Sequence, residues 1–320
     1  MDLFALGTPV VDLFARVDGK ILAKLNAAKG ATNYFSAREM AAIERKLGKR
    51  ITYRYPGDNA RNVCEGFSAL GGFCGYQGAV GNDRAGSHFS ANLQECGIAD
   101  FLADKKGATG KIIALVTNDG QRTFCADLGV STSCSGMERL ALADSRLFFI
   151  SSITLAKEAP VAKLGMKYLE WCKKNGKKVA IALESPPMVK ENRKLFLSIA
   201  EKYADYLFMN CDEAEALLGA DAEGKLPALK PGIPVFLKKG KSGSLVIFNR
   251  KAHRVPALPA KVIDTTGAGD AYTAGVLYGI SRGYTPQGSA RIGCMLATKV
   301  VGKVGAGIPL SHTRIRLKRR

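Results

Sequence analysis

Asp264-Thr265-Thr266-Gly267-Ala268-Gly269-Asp270-Ala271 sets two glycines and a carboxylate ahead of an apolar segment, Ala271 to Ser281, whose spacing predicts a helix. Gly267 and Gly269 lack side chains, so the main-chain N–H groups of the turn can close around an anion, and the positive end of the helix reinforces them. Asp270 then stands within one residue of the trapped charge. An Asp in a first helical turn is ordinarily a cap or a dipole partner, but a cap does not need a Gly-Ala-Gly approach surface. Phosphoryl transfer to an alcohol needs an anion cradle and a base, so Asp270 reads as the base and Gly267, Ala268 and Gly269 as the cradle.

Four other stretches carry candidate chemistry. Asp12 follows the run Leu6-Gly7-Thr8-Pro9-Val10-Val11, where a carboxylate closing a buried strand opens toward the crevice at which α/β sheets bind ligands and can accept hydroxyl hydrogens. As a lone residue it would more often be a turn Asp. Pro56-Gly57-Asp58-Asn59-Ala60-Arg61-Asn62 opens a helix; Gly57 lets a substrate approach the backbone, and Asn62 can bond a hydroxyl both ways. Locally it is an ordinary Asx-type helix start. Asn210-Cys211-Asp212-Glu213-Ala214-Glu215 starts another helix, where acids are common for dipole reasons. Asn210 and Glu213 are also suited to hold Mg²⁺ through water, with Glu215 left aside. Lys238-Lys239-Gly240-Lys241-Ser242-Gly243 lies between strand signals, where a tight glycine turn is explanation enough, yet Lys238 or Lys241 could meet phosphate as a point charge.

In order from Asp12 to Ala306, these segments resemble the PfkB family of carbohydrate and nucleoside kinases, the ribokinase-like superfamily, whose C-terminal signature DTxGAGD is matched at 264–270. The resemblance implies a three-layer αβα sandwich with a mostly parallel central sheet and a small β-lid. It implies ATP-dependent phosphorylation of a primary hydroxyl, with ATP and Mg²⁺ required and a monovalent cation left open. Asp12 would hold substrate hydroxyls, with Thr8 where the family has Asn or Ser, and with Gly57 and Asn62 beside it. Asp58 replaces the second glycine of a Gly-Gly pair, adding a charge at the substrate site that disfavours acidic sugars unless it is turned away. Asn210 and Glu213 match the N-x-x-E motif that holds Mg²⁺; Lys238, Gly240, Gly243 and Thr265 would face ATP, and Gly305-Ala306 its adenine.

Asp119-Gly120-Gln121-Arg122-Thr123 is similar to the DGxRT segment of the adenosine-kinase-like branch, which places Arg122 at the substrate, although a hairpin Arg is normally a solvated edge charge. With the long excursion before Gly57, this favours an adenosine-like nucleoside over a free ribose, fructose or keto-deoxy sugar. A ligand sensor and a basic nucleic-acid-binding protein are the non-enzymatic rivals.

The elements that must position these residues alternate. Leu3 to Ala15 reads as an opening strand, Ala60 to Leu70 as a helix stopped by Gly71-Gly72, Cys74 to Val80 as a strand, and Arg84 to Glu95 as a helix capped by Asp83. Leu147 to Ser151 and Val179 to Leu183 are short buried strands separated by the helix Glu158 to Lys174, and Tyr206 to Met209 and Val235 to Lys238 continue the series. Such alternation predicts an α/β fold. Two stretches break it. Lys111 to Thr117 and Gln121 to Ala126 flank Asn118-Asp119-Gly120, a hairpin signal; the excursion Asp18 to Pro56 holds a capping-box helix, Ser36 to Leu47, and a strand-like Arg50 to Tyr55. Edge decoration accounts for either, but the family's order makes them the lid, roughly 13–56 and 108–129 of a single domain 1–320.

Composition excludes several classes. With 320 residues, 47% of them apolar, the chain can bury a large core, and no Ser/Pro/Gly-rich linker divides it. The acidic N-terminus lacks the look of a signal peptide, and no apolar run approaches the roughly 20 residues of a membrane span, so a cytoplasmic protein is expected. Eight scattered cysteines without a C-x-x-C pair, and only three histidines, indicate neither a disulfide framework nor a zinc site. The net charge of +19 is spread along the chain without interleaved aromatics, so a solvated basic surface with a frayed tail at Arg314, Arg316, Lys318, Arg319 and Arg320 is expected, and nucleic acid is not indicated. A homodimer through paired lids is an arrangement the resemblance allows.

Overall fold

The computed structural model describes residues 1–156, 158–303, 305, 307 and 308; Ala306 and the basic tail lie outside the described residues. In chain order the strands begin with β1 (Leu3–Leu6), β2 (Val10–Arg16), β3 (Thr32–Tyr34), β4 (Ile51–Gly57) and β5 (Cys74–Gly81). Next come β6 (Ala99–Lys105), β7 (Thr109–Val116), β8 (Arg122–Gly129), β9 (Leu147–Ser151) and β10 (Lys178–Ala182). The series closes with β11 (Tyr206–Asn210), β12 (Val235–Lys238), β13 (Ser244–Phe248) and β14 (Lys251–Val255). Nine of them form one sheet in the order β14-β13-β12-β11-β10-β9-β1-β5-β6. Neighbours from β12 through to β6 are parallel, and β13 and β14 are added antiparallel.

Helices cover both faces, which is why the parallel strands are continuous apolar runs. The first helices are α1 (Gly19–Lys24), α2 (Ala37–Leu47), α3 (Asn59–Ala69), α4 (Arg84–Glu95), α5 (Arg139–Asp144), α6 (Ser152–Leu155) and α7 (Pro160–Lys174). They are followed by α8 (Pro186–Glu191), α9 (Arg193–Tyr203), α10 (Cys211–Leu218), α11 (Ala222–Leu229), α12 (Ala268–Ser281) and α13 (Pro286–Val300). Alternate strand residues sort into two cores: Leu3, Ala5, Tyr76, Phe149, Phe208 and Phe236 meet α3, α4, α12 and α13, while Phe4, Leu6, Phe148, Ile150 and Met209 meet α7, α9 and α10. Each such side chain fully removed from water contributes roughly 1.5–3 kcal/mol.

Helix α12 is apolar on almost every side and lies buried between α3 and α13. Its closest approach is at Gly275, where an added Cβ would stand 2.7 Å from the Gly293 Cα of α13. That contact fixes the helix whose first turn carries Asp270.

The remaining strands form a second sheet, β3-β8-β7-β2-β4. The hairpin of β7 and β8 is antiparallel, and α2 carries the capping box in which Ser36 N–H donates to Glu39 at 2.8 Å. The single opening strand expected over Leu3 to Ala15 is instead two. Pro9 cannot donate to a sheet ladder, and the Gly7-Thr8-Pro9 break lets the chain leave the large sheet after Leu6 and enter the small one at Val10. Behind the small sheet, Val11, Leu13, Ala15, Ile113, Leu115 and Cys125 pack on Leu22, Met40, Ile43 and Leu47 of α1 and α2. Among the described residues no helix is long and apolar enough to cross a membrane.

Overpacking typically costs about 1–3 kcal/mol, so Gly275→Ala should lower unfolding stability by about that amount in urea titrations. An unchanged midpoint would mean that α12 and α13 can part without loss.

Candidate functional site

The turn before α12 is built on glycine where the backbone demands it. Gly267 caps the helix at φ 76°, a left-handed conformation that glycine adopts without strain, and Ala268 opens the helix behind it. The first-turn N–H groups therefore point outward, beside Asp270, which is only 6% exposed.

Two amides of α3 hold that carboxylate. Asn62 Nδ2 donates to one oxygen at 2.9 Å and Asn59 Nδ2 to the other at 3.2 Å. Asn62, expected to meet a substrate hydroxyl, gives one of its two N–H hydrogens to Asp270, while its Oδ1 accepts from Arg61 at 3.2 Å. Burial, reinforced by the charge of Glu184, pushes the Asp270 carboxyl up to about 7 against the amides and the Lys238 ammonium, which pull it down.

Asp12 is not at the end of a strand in the large sheet, as its sequence context suggested. It is the third residue of β2, facing the crevice between the two sheets, because of the break at Pro9. A Cβ on Gly57 would strike its carboxylate, so glycine is required there for the two strands to place Asp12. Burial first, then Asp58 and Asp270, push Asp12 up to about 7, with Arg61 opposing. Asp58 caps α3 at φ 111°, a conformation that favours glycine, and its carboxylate turns inward: it accepts from Thr8 at 3.2 Å, Tyr76 at 2.8 Å and Arg61 N–H at 3.2 Å. Burial pushes the Asp58 carboxyl up against these three donors, and Thr8 serves Asp58.

Arg122 and Gly305 meet at Asp264. The guanidinium of Arg122 donates to Asp264 and to Thr266 Oγ1, both at 3.0 Å, tying the β7–β8 hairpin to the anion turn. Gly305 N–H donates to the other Asp264 oxygen at 3.0 Å and packs on Tyr53. The N–H of Gly305 is thus bonded to Asp264.

Beyond the turn opens a pocket of about 440 Å³ whose walls include Lys238, Gly240, Lys241, Gly243, Thr265 and Gly269. Gly243 at φ 85° lets the β12–β13 connection press on β14. Lys238 projects to Gly269: a Cβ there would be 3.3 Å from its Nζ. Asn210 and Glu213 close a capping box, Asn210 N–H donating to Glu213 at 2.7 Å and Glu213 N–H to Asn210 Oδ1 at 2.8 Å. Lys238 Nζ stands 4.0 Å from Glu213. Burial alone would lower the Lys238 ammonium, but Glu184, Glu213 and Asp270 raise it, so it stays charged.

Glu184 was not anticipated. It follows β10, its main chain is held by Ser152 Oγ at 2.8 and 3.1 Å, and Ser185 behind it takes φ 61°. Burial pushes its carboxyl up to about 7 beside Lys238, Glu213 and Asp58. An acid directly after a buried strand was the available signal, but no motif marked it.

The arrangement is a glycine turn at a helix N-terminus, a buried carboxylate in its first turn, a lysine beside it and a two-sided crevice. A model of the pfkB family of carbohydrate kinases matches residues 23–313. This chain belongs to the pfkB family. It is similar to the adenosine kinase of Saccharomyces cerevisiae, 27% identical over 335 residues and covering 96% of each chain. It is also similar to the fructokinase of Salmonella typhimurium, 26% identical over 242 residues that cover 72% of this chain and 78% of that one. The crystal structure of adenosine kinase from Sinorhizobium meliloti superposes with a TM-score of 0.85 at 27% identity, covering 98% of this chain and 97% of the other. The fold is therefore ribokinase-like, and the kinase is a phosphotransferase that uses ATP.

Two outcomes follow for this kinase. Asp270→Asn should lower kcat by roughly a hundredfold or more while nucleotide affinity stays within a few fold, the range for a lost general base; full activity would remove Asp270 from the chemistry. Because Asp270 is held at about 7 and must be deprotonated to take a proton, kcat should rise about tenfold per pH unit below 7 and level above it. A flat profile from pH 5 to 8 would contradict that role.

Proposed function

We propose that the kinase transfers the γ-phosphoryl of ATP to the primary hydroxyl of a nucleoside. The observation that carries the substrate class is the face the small sheet turns to the crevice. Asp12 pairs with Tyr55 and Ile112, and Phe14 with Tyr53 and Ala114, which in turn pairs with Phe124. Directly paired residues share a face, so a hydroxyl-binding carboxylate sits at one end of a half-exposed aromatic surface. Tyr53 and Tyr55 are stacked at 5.7 Å and 20°. A nucleoside offers both a ribose for Asp12 and a flat base for these rings; a free sugar offers only the first.

Asp12, with Gly57 beside it, then orients the ribose, and Asp270, steadied by Asn59 and Asn62, takes the proton of the attacking CH₂OH. Most of the rate comes from alignment and from charge stabilisation by the turn amides and Lys238. Mg²⁺ supplies further charge neutralisation when bound with the triphosphate. Among the described residues no cluster of three or more His, Cys, Asp or Glu side chains could hold a metal, which suits an ion held chiefly by phosphate and water. Asn210 and Glu213 fit that role through water, since each Glu213 oxygen accepts one protein hydrogen bond and keeps a lone pair.

The small sheet acts as a lid that excludes water, and the Arg122–Asp264 pair is its clasp on the anion turn. Its back is covered by α1 and α2, so a homodimer through paired lids would have to use the edge strands β3 and β4. The cysteines are unpaired, seven of them buried, which suits a reducing cytoplasm.

An acceptor panel with ADP release as readout tests this: adenosine-like nucleosides should exceed ribose and fructose in kcat/KM by about a hundredfold, and the reverse order would make the enzyme a free-sugar kinase. Asp12→Ala should raise the acceptor KM by one to two orders of magnitude, consistent with about 1–3 kcal/mol for hydroxyls left unpaired, and leave the KM for ATP unchanged.

A further inference from the structure

Arg61, in the first turn of α3, is fully buried, which is rare for a side chain that cannot lose its charge. Its Nη1 donates to Glu65 at 2.8 Å and to Asn62 Oδ1 at 3.2 Å; its Nη2 donates to the Tyr55 hydroxyl of β4 at 3.2 Å and to Asn92 Oδ1 of α4. The guanidinium carbon also stands 4.7 Å from the centre of the Tyr55 ring. Nε finds no partner among the described residues. A buried ion pair with an unmet donor contributes little net stability, so the use of Arg61 lies in what it arranges.

It arranges first the amide of Asn62. That side chain lies between the guanidinium and the Asp270 carboxylate, accepting through Oδ1 from one and donating through Nδ2 to the other at 2.9 Å. Turned over, the amide would set its NH₂ against a cation and its oxygen against a carboxylate, so one orientation alone is satisfied at both ends. Without the guanidinium one of these two constraints is gone, and the amide is free to rotate away from Asp270. Arg61 arranges second the ring of Tyr55, whose hydroxyl accepts from Arg61 and donates to Glu65 at 2.5 Å. Tyr55 is the direct strand partner of Asp12. One buried cation thus touches both the side chain that holds the base and the ring beside the carboxylate of the acceptor site.

We propose that Arg61 is a positioning residue for phosphoryl transfer: by fixing the Asn62 amide and the Tyr55 ring together, it keeps Asp270 aimed at the hydroxyl of an acceptor held by Asp12. The inference rests on the reading of Asp270 as the base and of Asp12 as the acceptor's carboxylate given above. Arg61 needs no contact with substrate to matter, because a misplacement of about 1 Å at the reacting atoms costs roughly a hundredfold in rate.

Removing Arg61 alone would strand Glu65 in the interior, so the test is the paired exchange Arg61→Met/Glu65→Leu in the full chain, in which both buried charges go and stability is expected to hold. ADP release is followed with ATP and with whichever of adenosine, ribose and fructose gives the highest kcat/KM. The exchange should lower kcat by about tenfold or more and raise the acceptor KM severalfold, while the KM for ATP stays within about twofold. In an Asn62→Ala background the same exchange should change kcat by less than about twofold, because the side chain through which Arg61 acts is already gone. An unchanged kcat, or a tenfold loss that persists when Asn62 is already replaced, would overturn the proposal. Where the paired exchange lowers the melting temperature by more than about 10 °C, the same cycle is read on Arg61→Lys, which keeps the charge but not the planar fork, with the same expected and overturning results. Full activity of Asp270→Asn would overturn the reading of the base, and this inference with it; an inactive Asp270→Asn beside a fully active Arg61 exchange would overturn this inference alone.

Discussion

Five carboxylates, those of Asp12, Asp58, Glu184, Glu213 and Asp270, interact across a crevice in which Lys238 is the cation beside Glu184, Glu213 and Asp270, and the rest of the site is arranged around keeping that charge tolerable. An isolated buried carboxylate is costly unless it is protonated, paired or hydrogen-bonded. The acids here combine these remedies. Burial pushes all five up, Asp12, Glu184 and Asp270 to about 7, while Asp58 accepts from Thr8, Tyr76 and a main-chain N–H, Glu213 is held in a capping box and Asp270 takes two side-chain amides. The consequence is a crevice with an unmet demand for positive charge at its centre.

The same constraint explains the packing of α12. Its N-terminus must face the crevice, so its flanks are sealed by glycines, against α3 at Gly66, which meets Ala274, and against α13 at Gly275 and Gly293, and its body can be apolar throughout. Packing that tight transmits little slack. Asn59 and Asn62 reach Asp270 because α3, which carries them, is packed on α12. The fully buried Arg61–Glu65 pair on α3, at 2.8 Å, extends this rigidity: Glu65 accepts from Tyr55 of the small sheet at 2.5 Å and from Ile308 N–H at 2.9 Å. One helix therefore joins the base, the small sheet and the end of the described chain. A buried pair of this kind is weak evidence for net stability; its evident use is to hold three segments in one register.

Much of this was legible in the chain itself. The alternation of strands and helices, the capping box at Ser36, the hairpin around Asn118-Asp119-Gly120 and the glycine turn before Asp270 are local signals, set by side-chain period, by φ preference and by hydrogen bonds a few residues long. So are the N-cap residues Asp83 and Asn210, both of which cap the helices expected of them. These features do not depend on what packs against them.

What only the tertiary structure decided concerns groups that meet across long separations. Asn62 lies 208 residues from the Asp270 it holds, Arg122 lies 142 from Asp264, and Gly305 donates to Asp264 from 41 residues away. Asp12 read as the end of a buried strand because a run of apolar residues cannot reveal that Pro9 sends its second half into another sheet. Glu184 carried no motif, and its importance comes from the charges of Glu213, Lys238 and Asp270 that α10, β12 and α12 bring to it. A motif records which residues could bond; burial and the loss of solvent decide which of them must, because a buried donor or acceptor takes the nearest partner the fold supplies.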